Sequence, residues 1–325
     1  MNIDEKMTLL FAVEDSGFTI TDALKKLDIP RSTYYRWRAK YKRLGREGLK
    51  NLSSAPKRQW NALTPTEENR VIEIANQFPE MSSREISFWI IDNENFTISE
   101  STVYRILKQE GLIRTQSITS FPASKEYHSK SRAVNEQWQT DATYLHVKGW
   151  GWHYLISVLD DYSRKIIVWK IQDSMTSEDF AEVVEMACEK SGVPKDNMPN
   201  LVSDRGPALI SEELGAFLKH KGIHHILASP CHPQTNGKIE RYHKSLKSEI
   251  KLHIYDSPSE LKGEVGKFIS KYNKSRYHES LGNVSPDDVF YGLREKIIKE
   301  RREKQRLTFM RRKKYNQCSN TLMTC

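Results

Sequence analysis

An α/β core with a mixed five-stranded sheet, preceded by two all-α modules, is the architecture this 325-residue sequence predicts. Three observations predict it. Short capped helical segments fill the first third, strand and helix patterns alternate between about residues 137 and 250, and charge is distributed very unevenly.

The charge pattern frames the rest. The chain carries a net charge of +9, a pI near 9.2 and a mean hydropathy of −0.67. Residues 31–58 hold ten basic residues against one acid, and residues 294–314 hold eleven against three. Residues 132–250 hold fourteen basic and sixteen acidic residues, so two basic arms flank a slightly acidic centre. Basic arms suit a polyanionic partner such as nucleic acid, although either arm alone is also what a solvated surface looks like. No apolar run approaches the ~20 residues that span a bilayer. The first residues, Met1-Asn2-Ile3-Asp4-Glu5, carry acids where an export signal carries Lys or Arg. Four scattered cysteines without a CxxC pair argue against a disulfide framework or structural zinc. A reduced cytoplasmic protein with no membrane partner is therefore expected.

The helical modules come first. Residues 7–13 supply an apolar face, Thr21 is a candidate cap for a second helix, and Pro30 or Arg31 opens a third running to about Tyr41. A turn followed by a basic, aromatic helix is a helix-turn-helix pattern, with Arg31, Ser32, Thr33, Tyr35, Arg36 and Arg38 as candidate DNA contacts. A three-helix interaction module is the competing reading. Lys57 and Arg58 lie in a Gly-, Ser- and Pro-containing linker suited to tracking phosphates. A second trihelical unit follows, and Ser101, Thr102, Tyr104 and Arg105 on its third helix are candidate contacts. The expected organisation is 1–44 and 64–114 for the two helix-turn-helix domains, joined by a basic linker, 45–63. A linker at 115–131, the core at 132–252, a helical segment at 253–292 and a basic tail at 293–325 complete it.

Within the core, residues 137–147, 152–159 and 165–171 read as strands, and 177–191 as an amphipathic helix. Residues 201–203 read as a strand, 211–220 as a helix, 223–228 as a fifth strand and 235–250 as a last helix. The order β-β-β-α-β-α-β-α is that of an RNase H-like fold. Asp141 stands inside the first strand, where aspartate is disfavoured. Asp204 stands at the end of the fourth strand and Glu240 on the last helix, with 35 residues between them. Three converging carboxylates are hard oxygen donors for Mg²⁺ or Mn²⁺, and two such ions serve in-line phosphoryl displacement. Asp160 and Asp161 read as turn residues, and Glu182 or Glu185 as a possible fourth acid. His224, His225, Cys231 and His232 read as structural or DNA-facing rather than as a zinc site.

The segments Trp138-Gln139-Thr140-Asp141-Ala142-Thr143, Val202-Ser203-Asp204-Arg205-Gly206 and 232–241 (HPQTNGKIER) resemble the DDE transposases of bacterial insertion sequences. So does the later phrase Tyr272-Asn273, Arg276, His278, Ser280-Leu281, Pro286. That family shares its catalytic core with retroviral integrases. The resemblance implies a bacterial, nucleoid-associated enzyme acting on double-stranded DNA, with Asp141, Asp204 and Glu240 as catalytic metal ligands for two Mg²⁺ or Mn²⁺ ions. It implies binding of terminal inverted repeats, 3′-end cleavage, strand transfer into target DNA, and a homodimer or homotetramer on DNA. It adds Asn236, Lys244 and Lys247 as DNA contacts and places His243 beside the site. The His/Cys zinc module that precedes the core in retroviral integrases is missing. A non-catalytic DNA-binding regulator and an RNA–DNA hybrid nuclease of the same fold are the alternatives.

Overall fold

The computed structural model describes residues 1–51, 59–113, 131–228, 236–251 and 253–322, and the chain divides into two compact units. One unit comprises Met1–Ala62 with Arg312–Cys325, the other Leu63–Arg311.

The first unit contains α1 (Ile3–Asp15), α2 (Ile20–Lys26) and α3 (Arg31–Leu44). Asn2 and Glu5 form a reciprocal capping box on α1. The cap of α2 is Thr19, whose hydroxyl accepts from Asp22 N–H, so the expected cap at Thr21 falls inside the first turn instead. Thr19 wins because its backbone is extended, as a capping residue requires. Leu10, Val13, Leu24 and Tyr34 form the core, and Leu49 joins them at 2 % exposure. A 3₁₀ turn over Gly45–Leu49 delivers that leucine, so the packed structure continues beyond residue 44. Gly48 permits the close approach, since a Cβ there would stand 2.5 Å from the Lys40 carbonyl oxygen.

The second unit begins with α4 (Pro65–Gln77), α5 (Ser83–Asn93) and α6 (Glu100–Gln109), packed through Val71, Ile74, Ile86, Ile90, Val103 and Ile106. Thr64 with Glu67 and Ser82 with Glu85 make capping boxes, and Ser99 caps α6. A five-stranded sheet follows: β1 (Gln137–Val147), β2 (Gly151–Asp160), β3 (Ile166–Gln172), β4 (Asn200–Ser203) and β5 (His225–Leu227). Its order is β3-β2-β1-β4-β5, with β1–β2 and β2–β3 antiparallel and β1–β4 and β4–β5 parallel. This mixed sheet is an RNase H-like core.

Two layers of helix cover it. On one face α7 (Ser177–Ser191) and α8 (Glu212–His220) bury Phe180, Val183, Leu214 and Leu218 against Trp138, Ile156 and Val158. On the other, α9 (Gly237–Ile250) and α10 (Pro258–Ser275) bury Ile239, Tyr242, Leu246, Val265 and Phe268 against Leu145 and Leu155. Asn273 fastens α10 to β3, donating to Ile166 C=O and accepting from Ile166 N–H, both at 2.9 Å.

After α11 (Pro286–Phe290), the basic tail is one helix, α12 (Arg294–Leu322). Its charge is partly structural. Arg301, 8 % exposed, grips Asp92 of α5 with two bonds of 2.7 Å, and Lys304 donates to the carbonyls of Ile91 and Glu94. A fork-on-carboxylate pair of this kind fixes orientation as well as supplying energy. Among the described residues no helix is long and apolar enough to cross a membrane.

Candidate active site

The site is assembled by strand register. Gln139 of β1 pairs in parallel with Val202 of β4. The parallel pairing stops there, two residues short of Asp141 and Asp204, and both of these carboxylates act electrostatically on Glu240. Asp141 faces Ser157 on β2, accepts from its neighbour Ala142 N–H at 2.8 Å and is half-buried. Asp204 is exposed just past the end of β4 and accepts from Gly206 N–H at 3.0 Å.

Glu240 comes from the first turn of α9, and a chain of polar contacts sets that turn in place. Gln139, 1 % exposed, accepts from Ile239 N–H at 3.1 Å and donates to Asp161 at 2.8 Å. Lys238 donates to the same Asp161 carboxylate. Further along α9, Tyr242 OH lies 3.4 Å from Ser157 Oγ. The side chains of Gln139, Asp161 and Lys238 thus hold the base of the helix. Sequence reasoning did not assign them that role, although Gln139 shares a strand face with Asp141 and that spacing was a usable signal.

The electrostatics are those of a cluster of acids acting on one another. Burial raises the pKa of Glu240, the charges of Asp141 and Asp204 raise it further, and His243 opposes them. His243, 6 % exposed, brings Nδ1 to 3.3 Å from Asp141 Oδ2. Its Nε2 is buried without a hydrogen-bond partner among the described residues. The donors are all carboxylate oxygens and their mutual repulsion is what a divalent cation relieves, so the residues fit Mg²⁺ or Mn²⁺. Among the described residues no three acid, histidine or cysteine side chains already stand in the arrangement that closes around an ion.

The other candidate residues divide clearly. Lys244 is exposed on α9. Lys247 lies 4.4 Å over the Tyr144 ring, and burial and the charge of Lys251 lower its pKa against the pull of Asp141. Asn236 is only 4 % exposed at the foot of α9. On α3, Ser32, Tyr35 and Arg36 are exposed and Thr33 is half-buried, while Arg31 donates to Thr21 and Arg38 pairs with Glu14 at 3.0 Å. On α6, Ser101, Tyr104 and Arg105 are exposed, and Thr102 bonds with Ser99 and Arg105. Lys57 and Arg58, like Cys231 and His232, lie outside the described residues.

Of the two acids read as turn residues, Asp161 lies in the turn and Asp160 is instead the last residue of β2. Asp160 and Asp161 are 0 % and 1 % exposed and fully engaged: Asp160 accepts from Ser163 and Asn135, Asp161 from Gln139, Lys238 and Ser131. His225 bonds to Ser203 Oγ at 2.8 Å. Glu182 is held by Lys170 and Gln172, and Glu185 by Lys221, so neither joins the carboxylate cluster as a fourth acid.

Family models match four stretches of the chain: an integrase core domain over 131–233 and again over 221–286, and a homeodomain-like domain over 1–50 and over 33–107. The transposase for insertion sequence element IS904 of Lactococcus lactis is 29 % identical over 163 residues. The transposase InsF for insertion sequence IS3A of Escherichia coli is 26 % identical over 208 residues. The matched stretches cover 49 % and 60 % of this chain, and the chain spans 62 % and 71 % of those two relatives. Among solved structures, a simian T-cell lymphotropic virus intasome aligns with TM-score 0.44 and 16 % identity, over 68 % of this chain and 74 % of that one. The HTLV-2 integrase catalytic core in complex with magnesium aligns with TM-score 0.40 and 20 % identity, over 49 % and 98 %.

Proposed function

We infer that this chain, which groups with the insertion-sequence transposases that carry an integrase-type core, cuts DNA at the ends of an insertion sequence and joins those ends to target DNA. One observation carries the reading. Asp141 of β1, Asp204 just past β4 and Glu240 in the first turn of α9 are near enough for the two aspartates to raise the pKa of the glutamate, which supports a carboxylate triad.

In the first reaction water attacks the phosphodiester at the element end. A P–O bond to water forms, the P–O3′ bond breaks, and a 3′-hydroxyl is left. In the second, that hydroxyl attacks a target phosphodiester, so one P–O bond replaces another and no protein–DNA bond is made. Asp141, Asp204 and Glu240 would hold two Mg²⁺ or Mn²⁺ ions. When bound, these supply activation of the attacking oxygen and stabilisation of the leaving one. The protein's own groups do the positioning. His243 orients the Asp141 carboxylate, Gln139 and Asp161 fix the turn bearing Glu240, and Lys244 and Lys247 take DNA phosphates. The exposed residues of α3 and α6 read the terminal repeats, with Lys57 and Arg58 as further backbone contacts, whereas Asn236, buried at the foot of α9, is not available as one. Two ends must be processed together, so the working form is a dimer or tetramer on DNA, acting in the bacterial cytoplasm.

The test is an assay on labelled duplex bearing the element's own terminal repeat, with Mg²⁺ or Mn²⁺, beside a Glu240→Gln variant. Strand-joined product from the wild type alone supports the reading. Sequence-specific binding with no cleavage from either protein leaves a DNA-binding regulator.

A further inference from the structure

A second charged cluster includes Arg241, the residue after Glu240 on α9. Arg84 of α5, Arg164 of the β2–β3 turn, Arg241 of α9 and Arg276 at the end of α10 all act electrostatically on one imidazole, His278. They come from four separate elements of the same unit. Burial first, and then these four cations, lower the His278 pKa to about 4. Arg276 lies 5.3 Å from the Tyr272 ring, which meets the His278 ring edge-on at 6.3 Å. Arg164 and Arg241 act on Tyr272 as well.

The cluster is short of anions. Arg164 has Asp161 at 3.9 Å, but the Asp161 oxygens are already taken by Gln139, Ser131 and Lys238. Arg84 has Glu279 at 2.6 Å, and that carboxylate is 79 % exposed. Arg241 and Arg276 have no carboxylate partner among the described residues. Two guanidinium donors, Arg84 Nε and Arg164 Nη1, are buried with no acceptor among the described residues. Guanidinium cannot shed its proton, so the charge stays and the orphaned donors remain costly. Arg164 also holds φ at +65°, a left-handed conformation that a long side chain rarely adopts without compensation.

We propose that Arg84, Arg164, Arg241 and Arg276 form a phosphate-binding site beside the catalytic carboxylates, occupied by a backbone phosphate of bound DNA. Guanidinium forks match the oxygens of a phosphate, and two of these donors, Arg84 Nε and Arg164 Nη1, lack an acceptor among the described residues. Arg241 directly follows Glu240 on α9, so a duplex laid across the carboxylates has its neighbouring backbone within reach of this face. His278 supplies a reporter: a bound phosphate offsets the four cations and raises its pKa. The site deepens the transposase reading by adding a DNA contact to it, yet its test needs no catalysis.

The full chain is titrated with inorganic phosphate while the His278 ring is followed by NMR. Binding to duplex DNA is then measured across salt concentrations for wild type, Arg241→Gln and Arg276→Gln, the melting temperature of each variant being checked first. The proposal expects a saturable His278 shift with phosphate. It also expects each variant to lower the slope of log affinity against log salt by about 0.9, the value for one lost phosphate contact. A His278 shift with unchanged slopes assigns the site to a small free anion and overturns the DNA source. No shift and no slope change overturns the site altogether. If both appear and the wild type still joins no DNA, the transposase reading fails while this one stands.

Discussion

Two pairs of aspartates sit in, or one residue past the end of, three neighbouring strands and do opposite things. Asp160 and Asp161 are buried, and together they accept bonds from five residues. Asp141 and Asp204 are more open, and each accepts one backbone N–H from its own immediate neighbourhood. The first pair spends its oxygens on holding the chain together. The second is less committed, with only His243 beside Asp141 as a side-chain partner among the described residues, and lies near enough to perturb Glu240. Position relative to donors, rather than residue type, separates a structural carboxylate from one available to a ligand.

The contrast breaks if mutations at the two pairs have the same effect. The largest expected change is at the open pair: Asp204→Asn lowers strand transfer by at least about 10³-fold while the melting temperature hardly moves. Asp161→Ala should do the reverse. It strands Lys238 and Gln139 in a buried setting and costs about 3 kcal/mol, read as a lower urea midpoint. Stability unchanged in that variant would remove Asp161 from the scaffold.

His278 gives a pH test of intermediate size. Its folded pKa, about 4, lies below the ordinary 6.5, so the unfolded chain binds the extra proton first. The contribution is complete above pH 6.5 and is lost as pH falls towards 4, at most about 3 kcal/mol. His278→Gln should flatten that part of the stability curve, and a curve unchanged by the substitution would mean the imidazole is not held neutral. The smallest effect belongs to Lys247. Removing one phosphate contact with Lys247→Gln should weaken duplex binding by less than about tenfold and lower the salt slope by about 0.9.

Much of this was legible in the sequence because local signals were strong. The long strand β1 has the bounds its β-branched and aromatic residues predict, with the candidate site's aspartate inside it. Helix α7 begins after its capping threonine, Thr176, and ends before Gly192, whose left-handed backbone stops it. The tail escaped because α12 is charged almost all the way round, leaving no apolar stripe to count. Leu49 escaped because a single leucine after two glycines carries no period. The arginine cluster escaped for a different reason: its members span residues 84 to 276, and only the folded chain brings them to one imidazole.

The bond from Ile239 N–H to Gln139 joins residues 100 positions apart. A ribosome adds roughly 5–20 residues per second, so β1 emerges several seconds before the helix that completes its site. Contacts this distant in sequence also close slowly, because the loop entropy is lost before any bond repays it. The helical modules, by contrast, are made first and close over short loops. A growing chain therefore carries its candidate DNA-contact residues before its candidate carboxylate site is complete. A chain cut short before Gly237 keeps Asp141 and Asp204 but lacks all of α9, and with it both Glu240 and the turn that holds it.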